Sequence, residues 1–198
     1  MDSARWNHNI QYHPVILRAV PPGCQVALDV GCGDGLLTRQ LRSVVRQVVG
    51  IDTHRPSLEL ARAHPGRRDV QYVLGDFLAH PFEPASFDLI ACAASLHHMD
   101  TSDAVERMVR LLRPGGVMAI IGVARPRYPA DLVYDLAGSL AHRVTRVTRP
   151  YWQHPSPTRW PPLETYAQIR DLISRLLPDA RYRRRLFFRY SLVWTKPA

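Results

Sequence analysis

Short, nearly continuous apolar runs alternate along this chain with stretches in which apolar residues recur every third or fourth position. The first pattern predicts strands covered on both faces, the second amphipathic helices. Strands are predicted at 25–30, 47–51, 70–74, 86–93 and 117–123. Helical spacing covers 36–45 and, opened by Pro56, 56–63, with a stop at Pro65-Gly66. Asp100, Thr101 and Ser102 all offer cap oxygens to a helix carrying Val105, Met108, Val109 and Leu112, which Arg113-Pro114-Gly115-Gly116 ends. Strands alternating with helices predict an α/β fold, doubly wound around a mostly parallel sheet.

Past the fifth strand the rhythm changes. Residues 125–129 lead into an amphipathic helix whose apolar face is marked by Leu132, Val133, Leu136, Leu140 and Val144. A loop dense in proline and aromatic residues follows, RPYWQHPSPTRWPP at 149–162. A last helix spans 163–177 and stops at Pro178. Residues 182–188 and 191–195 then read as two strands with Tyr190 at the turn, and so tight a turn implies an antiparallel pair. Before the first strand, 4–20 gathers Trp6, His8, Tyr12 and His13, with a helix opened by Pro14 and reaching Val20. Pro21-Pro22-Gly23 separates that segment from the sheet. No internal repeat or second-domain boundary stands out, and 198 residues suit one domain.

Chemistry concentrates at the strand ends. The first strand finishes in Asp29-Val30-Gly31-Cys32-Gly33-Asp34-Gly35, giving D-x-G-x-G-x-G immediately before a helix. A strand, a tight turn and a helix N-terminus form a corner suited to a nucleotide-type cofactor. The dinucleotide fingerprint would need glycine where Leu36 stands, and a P-loop would need a following Lys-Ser/Thr. Asp52 ends the second strand, where one carboxylate can accept from both hydroxyls of a ribose; its structural alternative is a helix cap. Gly75-Asp76-Phe77 follows the third strand, and Ala93-Ala94-Ser95-Leu96-His97-His98 the fourth.

The glycine motif, Asp52, Asp76-Phe77 and the run from FDLI through LHHM to LLRPGG resemble class I S-adenosylmethionine (SAM)-dependent methyltransferases of small-molecule type, including those of quinone biosynthesis. The resemblance spans roughly residues 26–123, more weakly the C-terminus. It implies a seven-stranded sheet of order 3-2-1-4-5-7-6 with the terminal hairpin antiparallel, SAM as cofactor and S-adenosylhomocysteine as product. It further implies that Asp29, Gly31, Cys32, Gly33 and Ala93 lie near the methionine part of SAM, Asp29 steering its ammonium. Asp52 and Thr53 would meet the ribose, and Asp76 and Phe77 the adenine. For a hydroxyl or protonated-amine acceptor a proton must be taken up. His97 is the first candidate base, with His98 beside it and His13 as competitor. Trp6, Tyr12 and Tyr151 are candidates for binding the acceptor, the segment 1–20 and the insertion 126–162 being candidate lids; each has the alternative of packing only.

Composition narrows the partners. Formal net charge is +9, carried almost wholly by scattered arginines, the densest group being Arg181, Arg183, Arg184 and Arg185. That balance permits nucleic acid and keeps an RNA methyltransferase as the alternative. The fourth strand lacks the Asn/Asp-Pro-Pro-Tyr arrangement used on base amines, so a small-molecule acceptor is the first expectation and nucleic acid the second. A SAM-binding module without catalysis is a third reading; hydride transfer is disfavoured by Leu36 and the hairpin. Three cysteines show no metal-ligand spacing, so no metal is expected. No apolar run approaches the roughly 20 residues of a membrane span, and the first residues lack a leader pattern; a cytoplasmic protein is expected.

Overall fold

A computed structural model describes residues 5–64, 70–157 and 159–198. The predicted stop at Pro65-Gly66 lies outside the described residues. These residues form one seven-stranded sheet in the order β3-β2-β1-β4-β5-β7-β6. Strands β1 (Val26–Val30), β2 (Gln47–Asp52), β3 (Val70–Leu74), β4 (Phe87–Ala93) and β5 (Leu112–Gly122) pair in parallel. Strand β7 (Arg189–Thr195) lies antiparallel between β5 and β6 (Arg181–Arg185). The expected sheet and order are therefore present.

Both faces of the sheet are covered, which is why its strands read as continuous apolar runs. On one face α4 (Thr101–Leu111) and α6 (Tyr166–Leu176) contribute Ala104, Val105, Met108, Ile169 and Ile173 to a cluster with Leu28, Ile90 and Leu192. On the other, Ile16 of α1 (His13–Leu17) and Leu37 and Leu41 of α2 (Leu36–Arg42) pack with Ala27, Val48, Leu89 and Ile121. Asp100 is the oxygen that caps α4, accepting from the Asp103 N–H at 3.0 Å. Thr165 and Gln168 close a capping box on α6, so that helix starts later than the apolar spacing alone predicted. Helix α3 (Arg55–Ala63) carries its proline in the first turn.

Three expectations are corrected. Strand β5 begins at Leu112, taking in the Arg-Pro-Gly-Gly stretch expected to separate helix from strand. Its register shifts between Phe87 and Leu89, and Gly115 and Gly116 bond to the Lys196 backbone. Tyr190 does not mark the hairpin turn. It is a fully buried member of β7 whose ring lies over Gly122, where a Cβ would come within 2.0 Å of it. The chain reverses instead at 186–188, where Phe187 and Phe188 both adopt positive φ, the backbone twist that suits a tight antiparallel reversal.

The third correction concerns α5 (Leu132–Thr148). Its apolar stripe is continuous, as predicted, yet it faces away from the protein: Val133 is 75% exposed and Leu140 65%, with Leu136 and Val144 close behind. The opposite side, at Gly138 and His142, meets the molecule; Gly138 is buried against Phe187 and Phe188. Amphipathic spacing fixes which residues share a face, while the attachment of both helix ends decides where that face points.

Candidate functional site

The carboxyl edge of the parallel strands is where the chain's acids, glycines and histidines converge. The crevice between β1 and β4, whose following chains diverge to opposite sides of the sheet, is the expected ligand position in such folds. Gly31 leaves β1 with φ +69°, and a Cβ there would fall 2.1 Å from the Ser95 Oγ. That hydroxyl donates to the Gly31 carbonyl at 3.0 Å, tying the end of β4 to the glycine turn. Only a residue without a side chain fits this close approach.

Asp52 at the end of β2 holds the same turn from the other side. Its Oδ2 accepts from the Gly33 N–H at 2.7 Å and its Oδ1 from the His54 N–H, also at 2.7 Å. A carboxylate oxygen has more than one lone pair, so both oxygens keep capacity for a ligand. Asp29 is fully buried beneath the turn and accepts from the Thr38 hydroxyl at 2.7 Å. Burial pushes its pKa up to about 7, against the Thr38 hydrogen bond, with Asp52 and Asp34 adding to the rise. A nearby ligand cation would therefore be stabilised by an acid that ionises in its presence.

A cavity of about 510 Å³ runs along this edge. Its walls carry Gly31, Asp52, Thr53, Asp76, Phe77 and Ala93, all expected at a cofactor, together with His97 and His98. A smaller recess of about 40 Å³ lies beside Asp29, Cys32 and Asp34. His97 follows β4 in a single 3₁₀ turn, and its Nδ1 is buried with no hydrogen-bond partner among the described residues. Burial, then His98, Arg189 and Arg159, lower its pKa to about 4. The ring is thus a neutral acceptor at pH 7. His98 is more exposed and its pKa is lowered for the same first reason.

Other candidates lie elsewhere. His13 is buried against α2, its Nδ1 within 2.8 Å of the Gln40 Oε1, and lines the small recess rather than the cavity with His97. Trp6, Tyr12 and Tyr151 do not line the large cavity. Trp6 is buried edge-on to His8, Tyr151 and Phe187, with its Nε1 donating to Gln11, while the Tyr12 hydroxyl donates to the Leu186 carbonyl. These rings join the N-terminal segment to the 149–162 loop and the β6–β7 turn.

That junction also fixes where the 149–162 loop runs. The Trp152 N–H donates to the Trp6 carbonyl at 2.7 Å, and the Asn7 amide donates to the Trp152 carbonyl at 3.3 Å. Further on, the Ser156 N–H donates to His154 Nδ1 at 3.0 Å. This puts the ring proton on Nε2, which lies 3.7 Å from Asp34 Oδ1. The Ser156 hydroxyl reaches Ser57 of α3 at 2.7 Å. His154, Ser156, Pro157 and Trp160 consequently line the large cavity, as do Asn9 and Arg189. Nothing in the local sequence around Asn9 or Arg189 announced that position, because it arises from contacts between chain ends far apart in sequence. No helix is long and apolar enough to cross a membrane among the described residues, and no cluster of His, Cys, Asp or Glu there could hold a metal ion.

The edge suits SAM in its chemistry. An acid offers oxygens at the end of β2, a second acid and a buried aromatic ring follow β3, and a buried carboxyl sits under the glycine turn. Comparison with known proteins agrees. The methyltransferase-domain family matches residues 28–120. An uncharacterized methyltransferase of Mycobacterium tuberculosis is 33% identical over 193 residues, 97% of this chain and 98% of that protein. A ubiquinone biosynthesis O-methyltransferase of Alkalilimnicola ehrlichii is 30% identical over 162 residues, covering 78% of this chain and 63% of that one. Among solved structures, phosphoethanolamine N-methyltransferase 2 of Haemonchus contortus with bound SAM superposes with a TM-score of 0.64 at 19% identity, over 95% of this chain and 53% of that chain. Glycine turn, strand-end acids, sheet order and full-length similarity lead to one assignment: the chain belongs to the class I SAM-dependent methyltransferases and is an enzyme of that family with SAM as its cofactor.

Proposed function

We propose that this methyltransferase acts on a small molecule held between the cofactor and the 149–162 cover, with His97 as the proton acceptor. One observation carries the reading. A single cavity of about 510 Å³ is lined by Asp52 and Asp76 together with His97, Met99, Val123, Pro157 and Trp160. That volume lies within the roughly 300–1,000 Å³ typical of small-molecule sites, and the lining mixes apolar surface with a few polar groups. The names of relatives such as the ubiquinone biosynthesis enzyme support the same acceptor class.

When bound, SAM supplies the methyl electrophile on a cationic sulfonium. The chain's own task is to bind, align and exclude water, and alignment alone can contribute about 7–11 kcal/mol. In this reading Asp29, Gly31, Cys32, Gly33 and Ala93 surround the methionine part. Asp52 and Thr53 hold the ribose, and Asp76 and Phe77 the adenine. His97, neutral and with a bare Nδ1, accepts the hydrogen bond of the acceptor's O–H or N–H and takes its proton. Segment 1–20 and insertion 126–162 act together as the lid, joined through Trp6, Asn7 and Trp152.

The test is isothermal titration with S-adenosylhomocysteine, followed by an acceptor screen that reads its release from SAM. Saturable binding and turnover on a small molecule are expected; turnover on total RNA alone would overturn the acceptor class. Asp52→Ala should weaken S-adenosylhomocysteine by about 1–3 kcal/mol, and an unchanged Kd would remove the ribose assignment.

A further inference from the structure

Arg189 opens β7 on the same sheet edge and is one of the residues lining the large cavity. The group is held firmly by neutral partners. Its Nε donates to the Asn9 Oδ1 at 2.8 Å, and one Nη donates to the Phe187 and Phe188 carbonyls, each at 3.2 Å. The other Nη has no partner among the described residues, nor does any carboxylate there pair with Arg189. Arg5, Arg113 and Arg184 differ, each having an aspartate within 2.7, 2.8 and 3.3 Å respectively. The side chains whose electrostatics couple to Arg189 are the phenols Tyr166, Tyr151 and Tyr12 and the imidazoles His8 and His97, and no carboxylate is among them. An arginine kept charged in a partly closed site without a counter-ion is unfavourable unless a ligand supplies one.

We propose that Arg189 is the anion-recognising residue of the acceptor site, and that the acceptor carries a carboxylate-type negative charge which pairs with this guanidinium while the methylated atom lies beside His97. Two anions could meet the group, the acceptor's or the cofactor's own carboxylate. The sheet favours the first. Methionine carries its carboxylate on the same carbon as its ammonium, and in the proposed function Asp29 and Gly31 hold that carbon at the β1–β4 crevice. Arg189 belongs to β7, two strands beyond β4, or about 10 Å further along the edge. Val123 and His97 border the cavity with it. The arginine fork also suits a planar carboxylate better than a lysine would.

This inference names the substrate class of the proposed function, yet it is tested by binding alone. Protein saturated with S-adenosylhomocysteine is titrated with matched pairs of small acids and their amides: benzoate and benzamide, 4-hydroxybenzoate and 4-hydroxybenzamide, hexanoate and hexanamide. At least one acid should bind about 10-fold or more tightly than its amide. Arg189→Met should remove that preference while leaving the Kd of S-adenosylhomocysteine within about twofold, and Arg189→Lys should restore part of it. The comparison of acid with amide needs no variant, so a misfolded Arg189→Met leaves the test intact. Amides binding as well as acids, or no acid binding below about 10 mM, overturns the proposal. So does a tenfold or greater loss of S-adenosylhomocysteine in folded Arg189→Met, which would assign the guanidinium to the cofactor's carboxylate. Failure of the methyltransferase reading itself would appear earlier, as no S-adenosylhomocysteine binding at all.

Discussion

His97 combines a bare, buried Nδ1 with a pKa lowered to about 4. A ring that stays neutral through the physiological range is always in its accepting form, although so low a basicity limits its pull on a proton. An acceptor bringing negative charge close to it would raise that basicity by the same electrostatics that the Arg189 cation now lowers it. His97→Gln retains a hydrogen-bonding group without a proton acceptor of useful basicity. It should reduce kcat by about 10²- to 10⁴-fold and leave the Kd of S-adenosylhomocysteine unchanged. Loss of cofactor affinity in parallel would show that the residue positions the cofactor instead. Asp29 shows the same effect with the opposite sign, since burial disfavours its charged form and raises its pKa to about 7.

Helix α5 and strand β7 show how elements of similar apolar content have different energetic weight. Leu192 of β7 is fully buried between β5 and β6 in the main cluster. Truncating it to alanine should cost about 2–5 kcal/mol, from lost transfer energy and the cavity left behind. Val133 and Leu140 belong to an equally regular stripe, but each is mostly exposed. Replacing either with glutamine should change stability by no more than about 0.5 kcal/mol. Chemical denaturation distinguishes the two elements directly. A loss above about 2 kcal/mol on α5 would mean that its apolar face is buried in the folded protein.

Across the whole molecule, buried histidines set the response to acid. His8, His13 and His97 each have a pKa lowered to about 4, first by burial. Between about 6.5 and 4 the unfolded chain binds more protons at these rings than the folded one, so stability falls as pH drops through that window. Asp29 works the other way, because its folded pKa lies above its unfolded value and its contribution declines as pH rises from about 4 to 7. Three groups outweigh one. The midpoint of thermal unfolding should therefore fall steadily from pH 7 to pH 4.5, and His13→Gln should flatten the slope. A midpoint that rises on acidification would overturn the assignment.

The apolar pattern determined the succession of strands and helices along the chain and hence a mostly parallel sheet, and the motifs at its strand ends marked Gly31, Asp52, Asp76 and His97, while the sheet order was what the family resemblance implied. Each of those signals is local: a strand end, a tight turn or a helix start is encoded within a few neighbouring residues. The tertiary structure decided what no local window contains. It buried Tyr190 over Gly122, turned the apolar stripe of α5 outward, and drew Trp6, Tyr12 and Tyr151 into a junction beside the cavity. It also brought Asn9 to Arg189 and Ser57 to Ser156, contacts between segments that are remote along the chain. The physical reason is common to all of these: periodicity records which residues share a surface, whereas the partner of that surface is settled only when distant segments pack together.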